Sequence, residues 1–142
     1  MEQPQTYKNH ARIVPMFHIG VFGIFVLNFL WTASRLGGGM GAAVNFLLAI
    51  GLLLLFFSVR AMVVRVQDRV IRLEMRLRLR EMLPSELQAR IPALTTDQLV
   101  ALRFASDAEM PALVREVLAG TLTTRKDIKM RVKDWQGDYL RA

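Results

Sequence analysis

The sequence predicts an all-α membrane protein in which a two-helix transmembrane hairpin is followed by a long cytoplasmic helix and a small bundle of short helices. Hydrophobic residues make up 53% of the 142 residues and are concentrated in the first half. Between Ile13 and Val59 the only formal charge is Arg35. Beyond Arg60 charged residues are frequent, and the apolar residues among them recur at helical spacing. These three observations indicate a membrane part joined to a water-soluble part.

Two apolar runs, at residues 13–34 and about 42–62, are the predicted spans of the hairpin. A spanning helix needs about 20 mostly apolar residues, and both runs meet that length. The glycines of "RLGGGMG", residues 35–41, permit a tight reversal between them. A buried hairpin in a soluble protein is the alternative, which we disfavour because both runs are apolar on all sides.

The predicted domains follow from these spans and from the change in composition after them. We expect a cytoplasmic amino-terminal segment, the hairpin, an arginine-rich helical extension and a cytoplasmic helical domain, at residues 1–12, 13–64, 63–83 and 84–142.

The basic residues that flank the spans predict the orientation of the chain. Lys8 and Arg12 precede the first span, and Arg60 and Arg65 begin a run of arginines after the second. Because cytoplasmic loops carry the excess of Lys and Arg, both termini should face the cytoplasm. The protein is therefore predicted to be multi-pass.

Asn28 and Asn45 are polar residues inside the predicted spans, and the hairpin should bring them to similar depth. Hydrogen bonds between spanning helices contribute about 0.6 to 2 kcal/mol, so we expect both asparagines in a helix–helix interface. A polar pore or a substrate contact is the alternative.

Cofactors, metals and catalysis have little support in the sequence. Without cysteine there is no disulfide or thiol chemistry. His18 could ligate haem or relay protons, but the second span offers no matching histidine, and a polar role at the cytoplasmic interface is favoured. The carboxylates form no recognisable metal or acid–base arrangement. We expect no enzyme, no cofactor and no metal.

One apolar stripe continues from the second span into the extension. Its members recur at alternating intervals of three and four residues, which is the heptad pattern of helices that pack along their length. We call this stripe the seam, and it comprises Val63, Val66, Val70, Leu73 and Leu77. The seam predicts a coiled coil with a neighbouring helix. Val64, Ile71 and Met75 form a second, weaker stripe, and the absence of Pro and Gly between Leu52 and Leu83 predicts one unbroken helix ending at Pro84.

Seven arginines against three acidic residues give positions 60–81 a charge of +4, within a total of +7. Most lie in an arginine row beside the seam, which comprises Arg65, Arg69, Arg72, Arg76 and Arg80. Anionic lipid headgroups can attract Arg60 and Arg65, but Arg76 lies too far along the helix for that. We therefore expect Arg60, Arg65, Arg69, Arg72 and Arg76 to contact lipid or acidic protein groups, and the sequence does not favour nucleic acid.

Within the extension, two helical ion pairs are expected, because each acidic residue stands four positions before an arginine. These pairs are Asp68 with Arg72 and Glu74 with Arg78.

The predicted cytoplasmic domain consists of short helices with capping boxes, in which side chains satisfy the first backbone N–H groups. Thr95 with Gln98 and Ser106 with Glu109 should open helices at about 96–105 and 107–119, the second with Pro111 near its start and Gly120 at its end. Thr124 with Asp127 should open a terminal helix. Its expected docking face comprises Ile128, Val132, Trp135 and Tyr139.

Several stretches of the sequence resemble a family of small bacterial two-span membrane proteins of unknown function. These are "YKNHAR" at 7–12, "VQDRVIRLEMRLRL" at 66–79, "LTTDQLVALRFASDAEMPALV" at 95–114 and "DIKMRVKDWQGDYLR" at 127–141. The resemblance implies a bacterial inner (cytoplasmic) membrane and brings no activity, cofactor or catalytic residue.

The patterns together favour a non-enzymatic integral membrane protein that self-associates or docks on a larger membrane complex, as a scaffold or accessory subunit. Its expected interface residues are the seam with Asn28, Asn45, Trp135 and Tyr139. Its expected partners are anionic membrane lipids and either further copies of itself or a larger membrane protein complex. The alternative is a homo-oligomeric channel or transport subunit with an arginine-lined cytoplasmic path.

Overall fold

The computed structural model describes residues 5–7 and 13–139, and within these ranges the chain is all-helical apart from one isolated bridge between Ala105 and Trp135. The all-α prediction is therefore confirmed. Lys8 and Arg12, which entered the prediction of orientation, lie outside the described residues. The helices are α1 (Met16–Ala33, with a π-helical start at Met16–Val21), α2 (Met40–Met82), α3 (Ser85–Gln88), α4 (Thr96–Leu102), α5 (Met110–Leu118) and α6 (Arg125–Arg131), with a 3-10 turn at Ile91–Ala93.

Two compact units divide the chain, one formed by residues 12–64 and the other by residues 65–139 with 5–7. In the first unit, α1 and the beginning of α2 are joined by a turn at residues 34–38. Gly39 follows with φ +85°, a left-handed conformation that favours glycine. Both α1 and α2 are long and apolar enough, by length and composition, to cross a membrane.

Aromatic side chains hold α1 against α2 in the first unit. Phe17 stacks on Phe56 with ring centroids 4.4 Å apart, and Phe22 contacts the same ring at 5.2 Å. Nearer the turn, Phe29 and Phe46 lie 5.2 Å apart. Such ring pairs stabilise a contact by about 0.5–1.5 kcal/mol beyond the area that they bury.

Helix α2 runs for 43 residues without a break. As predicted, it stops before Pro84, because proline lacks the N–H for another helical hydrogen bond and disfavours helical geometry in the residue before it. The helix ends at Met82, and the last hydrogen bond joins the N–H of Leu83 to the carbonyl of Leu79.

The core of the second unit forms where the short helices pack against the carboxy-terminal half of α2. That half contributes Ile71, Met75 and Leu79, which we call the filled stripe. The short helices supply Leu99, Leu102, Met110, Val114 and Ile128, all buried.

Two of the three predicted capping boxes are confirmed. The hydroxyl of Thr95 accepts a hydrogen bond from the backbone N–H of Gln98 at 3.2 Å. In return, the side-chain oxygen of Gln98 accepts one from the backbone N–H of Thr95 at 2.9 Å. Thr124 and Asp127 make the same exchange at the start of α6. Gly120, with φ +79°, ends α5 as expected.

The third box, Ser106 with Glu109, is incomplete. Glu109 accepts the N–H of Ser106 at 3.3 Å, but the buried Ser106 hydroxyl has no hydrogen-bond partner. The chain makes a turn over residues 107–109, and α5 begins only at Met110, with Pro111 in its first turn. The predicted start at residue 107 was therefore wrong.

The terminal helix is shorter than its apolar periodicity predicted, because the backbone after α6 forms hydrogen bonds with a distant side chain. Val132 is extended, with ψ 125°, and α6 ends at Arg131. The next two backbone N–H groups, of Lys133 and Asp134, donate to the Glu109 carboxylate at 3.1 and 3.3 Å. This carboxylate draws the chain away from the helix axis and ends the helix.

Candidate interaction surfaces

The second half of α2 presents apolar stripes to two different surroundings. The filled stripe is inside the core of the second unit, with Met75 only 3% exposed and Leu79 fully buried. The seam is on another face, where Val66 is 63% exposed and Leu73 62%. The stripe that the sequence marked as weaker is therefore the one that packs within the chain.

All five seam residues are exposed in the single chain. The remaining members, Val63, Val70 and Leu77, are 40–52% exposed. A run of large apolar side chains this long on one helix is a candidate contact surface, since soluble surfaces seldom expose continuous apolar patches.

The arginine row borders the seam and forms a shallow depression. Arg69, Arg72 and Arg76 line it together with Leu73 of the seam. Within the part of the chain that the structure describes, no carboxylate forms an ion pair with any arginine of the row or with Arg60. The expected acidic contacts are therefore not supplied by the terminal helices.

The prediction of two ion pairs along α2 was wrong, because one residue of each expected pair binds a residue of a distant segment instead. Asp68 accepts from Arg125 of α6 at 3.1 Å instead of from Arg72. Arg78 binds Asp107 instead of Glu74, with a distance of 2.9 Å from Nε to Oδ1. In both cases an ion pair with a distant segment forms in place of the expected ion pair along α2.

Arg78 joins α2 to the end of α4 through several hydrogen bonds. Besides the Asp107 carboxylate, its guanidinium donates to the carbonyl oxygens of Arg103 and Ala105, at 3.3 and 2.8 Å. These carbonyls follow the last turn of α4, where backbone acceptors lack helical partners. The sequence predicted an ion pair of Arg78 with Glu74, and nothing in its spacing identified Asp107.

Arg125 connects three helices in the second unit. Its guanidinium lies 3.1 Å from Asp68 of α2 and 2.6 Å from Asp97 of α4. Burial alone would lower the pKa of Arg125, but the hydrogen bonds to Asp97 and Asp68 and their charges raise it overall. The guanidinium therefore remains charged and acts as a structural contact between helices.

Trp135 and Tyr139, expected on a helical docking face, lie in an extended segment after α6. The Trp135 ring stacks on Phe104 with centroids 4.6 Å apart, and the next N–H, of Gln136, donates to the Phe104 carbonyl at 2.7 Å. Trp135 thus packs within the chain, whereas Tyr139 is half exposed. The two do not share a helical face.

Asn28 and Asn45 are not joined by a hydrogen bond in the described structure. Asn28 is half-buried and Asn45 is exposed. Phe29 and Phe46 occupy the contact at this level, and each asparagine directly precedes one of these rings. Successive side chains on a helix point about 100° apart, so the side-chain amides of Asn28 and Asn45 lie to one side of the contact between the two rings.

In the described part of the chain, His18 and the acidic residues form no metal site. The His18 ring lies against the backbone of Val14 and edge-on to Phe17. Among the residues that the structure describes, no group of three or more potential ligands is placed to hold a metal ion. The seam is exposed and the arginine row beside it is largely exposed, so these two surfaces are the strongest candidates for interaction.

The chain belongs to the Family of unknown function (DUF6526), whose family model matches residues 1–142. Comparisons with curated proteins and with solved structures find no match.

Proposed function

We propose that this member of DUF6526 is a non-enzymatic integral membrane protein that self-associates or docks on a larger membrane complex, as a scaffold or accessory subunit. One observation carries the proposal: the seam of α2 is exposed although a different face of the same helix is filled by the chain itself. Because α2 already packs against the short helices through another face, its exposed seam is available to another polypeptide.

The membrane setting is supported by the apolar side chains that α1 and the first half of α2 direct outwards. Ile24, Leu27, Leu47 and Leu54 are each more than 60% exposed in the single chain. In water this surface would be unfavourable by about 25 cal/mol per Å2, and lipid removes that penalty. A bacterial inner membrane is the setting that we propose.

A contact between the two ends of the chain supports a cytoplasmic location for both termini. The side-chain amide of Gln5 accepts the N–H of Asp138 at 3.0 Å and donates to its carbonyl at 3.1 Å. An even number of crossings is needed for both segments to meet on one side. The excess of arginine after residue 60 then favours the cytoplasm as that side.

Lipid cannot cover the whole seam. If the second span ends near residue 62, Leu73 and Leu77 lie roughly 16 and 22 Å farther along α2, at about 1.5 Å per residue. The headgroup layer on each side is only about 5 to 8 Å thick. Protein is therefore the partner that the far end of the seam requires.

Arg60 and Arg65 are close enough to this boundary to bind anionic headgroups. Each basic residue near the surface contributes about 1 kcal/mol to such binding, and the attraction fades within a Debye length. Anionic lipid is thus a second, weaker partner of the same helix.

A homo-oligomeric channel or transport subunit is the second candidate function. The depression lined by Arg69, Arg72 and Arg76 favours it, because these arginines could line an anion path. Anion flux into liposomes carrying the purified protein, lost in Arg72→Glu, would support this candidate. Liposomes with no flux above protein-free vesicles would exclude it.

The test of self-association or docking is the mass of the detergent-solubilised particle, measured by light scattering. Changing Val66, Val70 and Leu73 together to Ser should reduce the particle to a single copy without its former partner. Met130→Ser, which also removes an exposed apolar side chain, serves as the control and should leave the mass unchanged. A wild-type particle of one lone copy would contradict the proposal.

A further inference from the structure

Charged residues flank the seam in a regular order. The seam residues fall into two sets, and the members of each set are seven residues apart. The first set is Val63, Val70 and Leu77, and the second is Val66 and Leu73. Arg69 and Arg76 each directly precede a first-set residue. On the other side of the seam, Glu74 directly follows Leu73, and Glu81 follows at the next heptad. One border of the seam is therefore basic and the other acidic.

We propose that the partner of the seam is a second copy of this chain, packed as a parallel, in-register, two-stranded coiled coil. This inference rests on the proposed self-association and specifies its geometry. In such a coil, the residue before a first-set position approaches the other helix five residues farther along. Arg69 then meets Glu74 of the second copy, and Arg76 meets Glu81 of the second copy. The twofold axis gives four interchain ion pairs.

The charges that form these pairs are available in the single chain. Arg69, Glu74 and Glu81 are exposed, and none forms an ion pair among the described residues. The Nε atom of Arg76 is buried and has no hydrogen-bond partner. The Arg76 side chain as a whole is partly exposed and forms no ion pair among the described residues, so its terminal nitrogens can bind a carboxylate of the second copy.

The orientation of the two helices follows from the same charges. In an antiparallel pair, the basic borders of the two seams would face each other, and so would the acidic borders. Both juxtapositions place like charges together, which is unfavourable. Two copies inserted in one membrane with the same topology present α2 in parallel, as the charge pattern requires.

Most of the seam residues have the shapes that favour two strands. Val63 and Val70 are β-branched in the first set and Leu73 lies in the second, whereas Val66 and Leu77 depart from this arrangement. The filled stripe lies on a different side of α2, so the short helices leave the seam open. Arg80, at the next position of the pattern, ends the apolar contact.

Charge reversal tests the pairing in the full-length protein in detergent. One variant carries Arg69→Glu and Arg76→Glu, and the other carries Glu74→Arg and Glu81→Arg. Each alone should self-associate at least tenfold more weakly, because all four pairs become like-charged. A mixture of the two variants, bearing different tags, should restore association and co-purify as a heterodimer.

The matched control reverses two other arginines of the same row, with Arg65→Glu and Arg72→Glu. Both residues belong to the arginine row but lie farther round α2 from the seam than Arg69 and Arg76 do. In detergent without anionic lipid, the control should therefore associate as the wild type does. Equal loss in the control and in Arg69→Glu with Arg76→Glu would overturn the pairing. Circular dichroism checks that each variant keeps its helical content.

Cysteine crosslinking tests the register, since the chain has no cysteine of its own. Two copies of Val70→Cys should form a disulfide-linked dimer, because a disulfide requires Cα atoms about 4.4–6.8 Å apart. Arg72→Cys, which points away from the seam, should not. Absence of the Val70→Cys dimer in a multi-copy particle would overturn the in-register coil.

The outcomes separate this inference from the proposed function. A particle of several copies whose association ignores charge reversal would contradict the coil and leave self-association in place. A particle with three or more copies around one seam would contradict the two-stranded geometry. A single-copy particle without a partner would remove both proposals.

Discussion

Two apolar stripes run along the same stretch of α2, and they have different neighbours. The filled stripe of Ile71, Met75 and Leu79 is covered by the short helices, whereas the seam is exposed. Their residues are similar in type and size, so composition does not decide which stripe the chain covers. The two stripes also differ in spacing, since only the seam keeps a strict heptad, the repeat along which another long helix can pack.

The largest expected difference between the stripes concerns the free energy of unfolding of the second unit. Leu79→Ala should lower it by about 2–5 kcal/mol, since a fully buried leucine leaves a cavity. Leu77→Ala, two residues earlier and half exposed, should lower it by less than about 0.5 kcal/mol. Denaturant titrations of the detergent-solubilised protein at low concentration, followed by Trp135 fluorescence in a Trp31→Phe background, measure both. Equal losses would contradict the division into a filled and an exposed stripe.

A second contrast compares two arginines of α2. Arg78→Gln should destabilise the second unit by about 1–3 kcal/mol, because the Asp107 carboxylate and two carbonyls lose a charged donor. Arg72→Gln, whose side chain has no described ion pair, should have almost no effect in the same titration. A stability loss in Arg72→Gln as large as that in Arg78→Gln would show that the arginine row has an intramolecular role.

A smaller effect is expected at the contact between α2 and α6. Asp68→Asn removes one of the two carboxylates bound by Arg125, and Asp97 remains. Because the pair is partly exposed, the expected loss is about 1 kcal/mol or less. Asp134→Asn, at a site without a described ion pair, is the control in the same titration. A loss of several kcal/mol would mean that this contact is a main support of the fold.

The smallest expected effect concerns pH. Arg131 donates two hydrogen bonds to Glu116, both at 3.0 Å, and lowers the pKa of that carboxyl. A carboxyl with a lowered folded-state pKa stabilises the fold above its unfolded pKa, and this contribution disappears as the pH falls through the folded value. Arg131→Gln should raise the pKa of Glu116, as an NMR titration of its carboxyl carbon would show. An unchanged titration curve would contradict the role of Arg131.

Local signals in the sequence were sufficient for much of the fold. Pro84 marked the end of α2, and the boxes at Thr95 and Thr124 marked the starts of α4 and α6. Each of these depends on residues within a few positions of one another. Local chemistry of this kind is readable without knowledge of the tertiary structure.

The features that sequence reasoning missed depend on contacts between distant segments. Glu109 ends α6 by accepting N–H groups 24 and 25 residues away, and Arg78 reaches Asp107 across 29 positions. Periodicity identified the seam and two of the three filled residues, Ile71 and Met75, but it could not tell which stripe the chain would cover. That choice depends on where the short helices pack.

The most direct test of the central claim measures whether another polypeptide covers the seam in the membrane. Leu73→Cys and Arg72→Cys are adjacent positions on α2, and both are exposed in the single chain. A water-soluble maleimide applied to inside-out membrane vesicles should label Leu73→Cys at least tenfold more slowly than Arg72→Cys. Equal labelling rates at the two positions would show that the seam faces water, and would contradict the account.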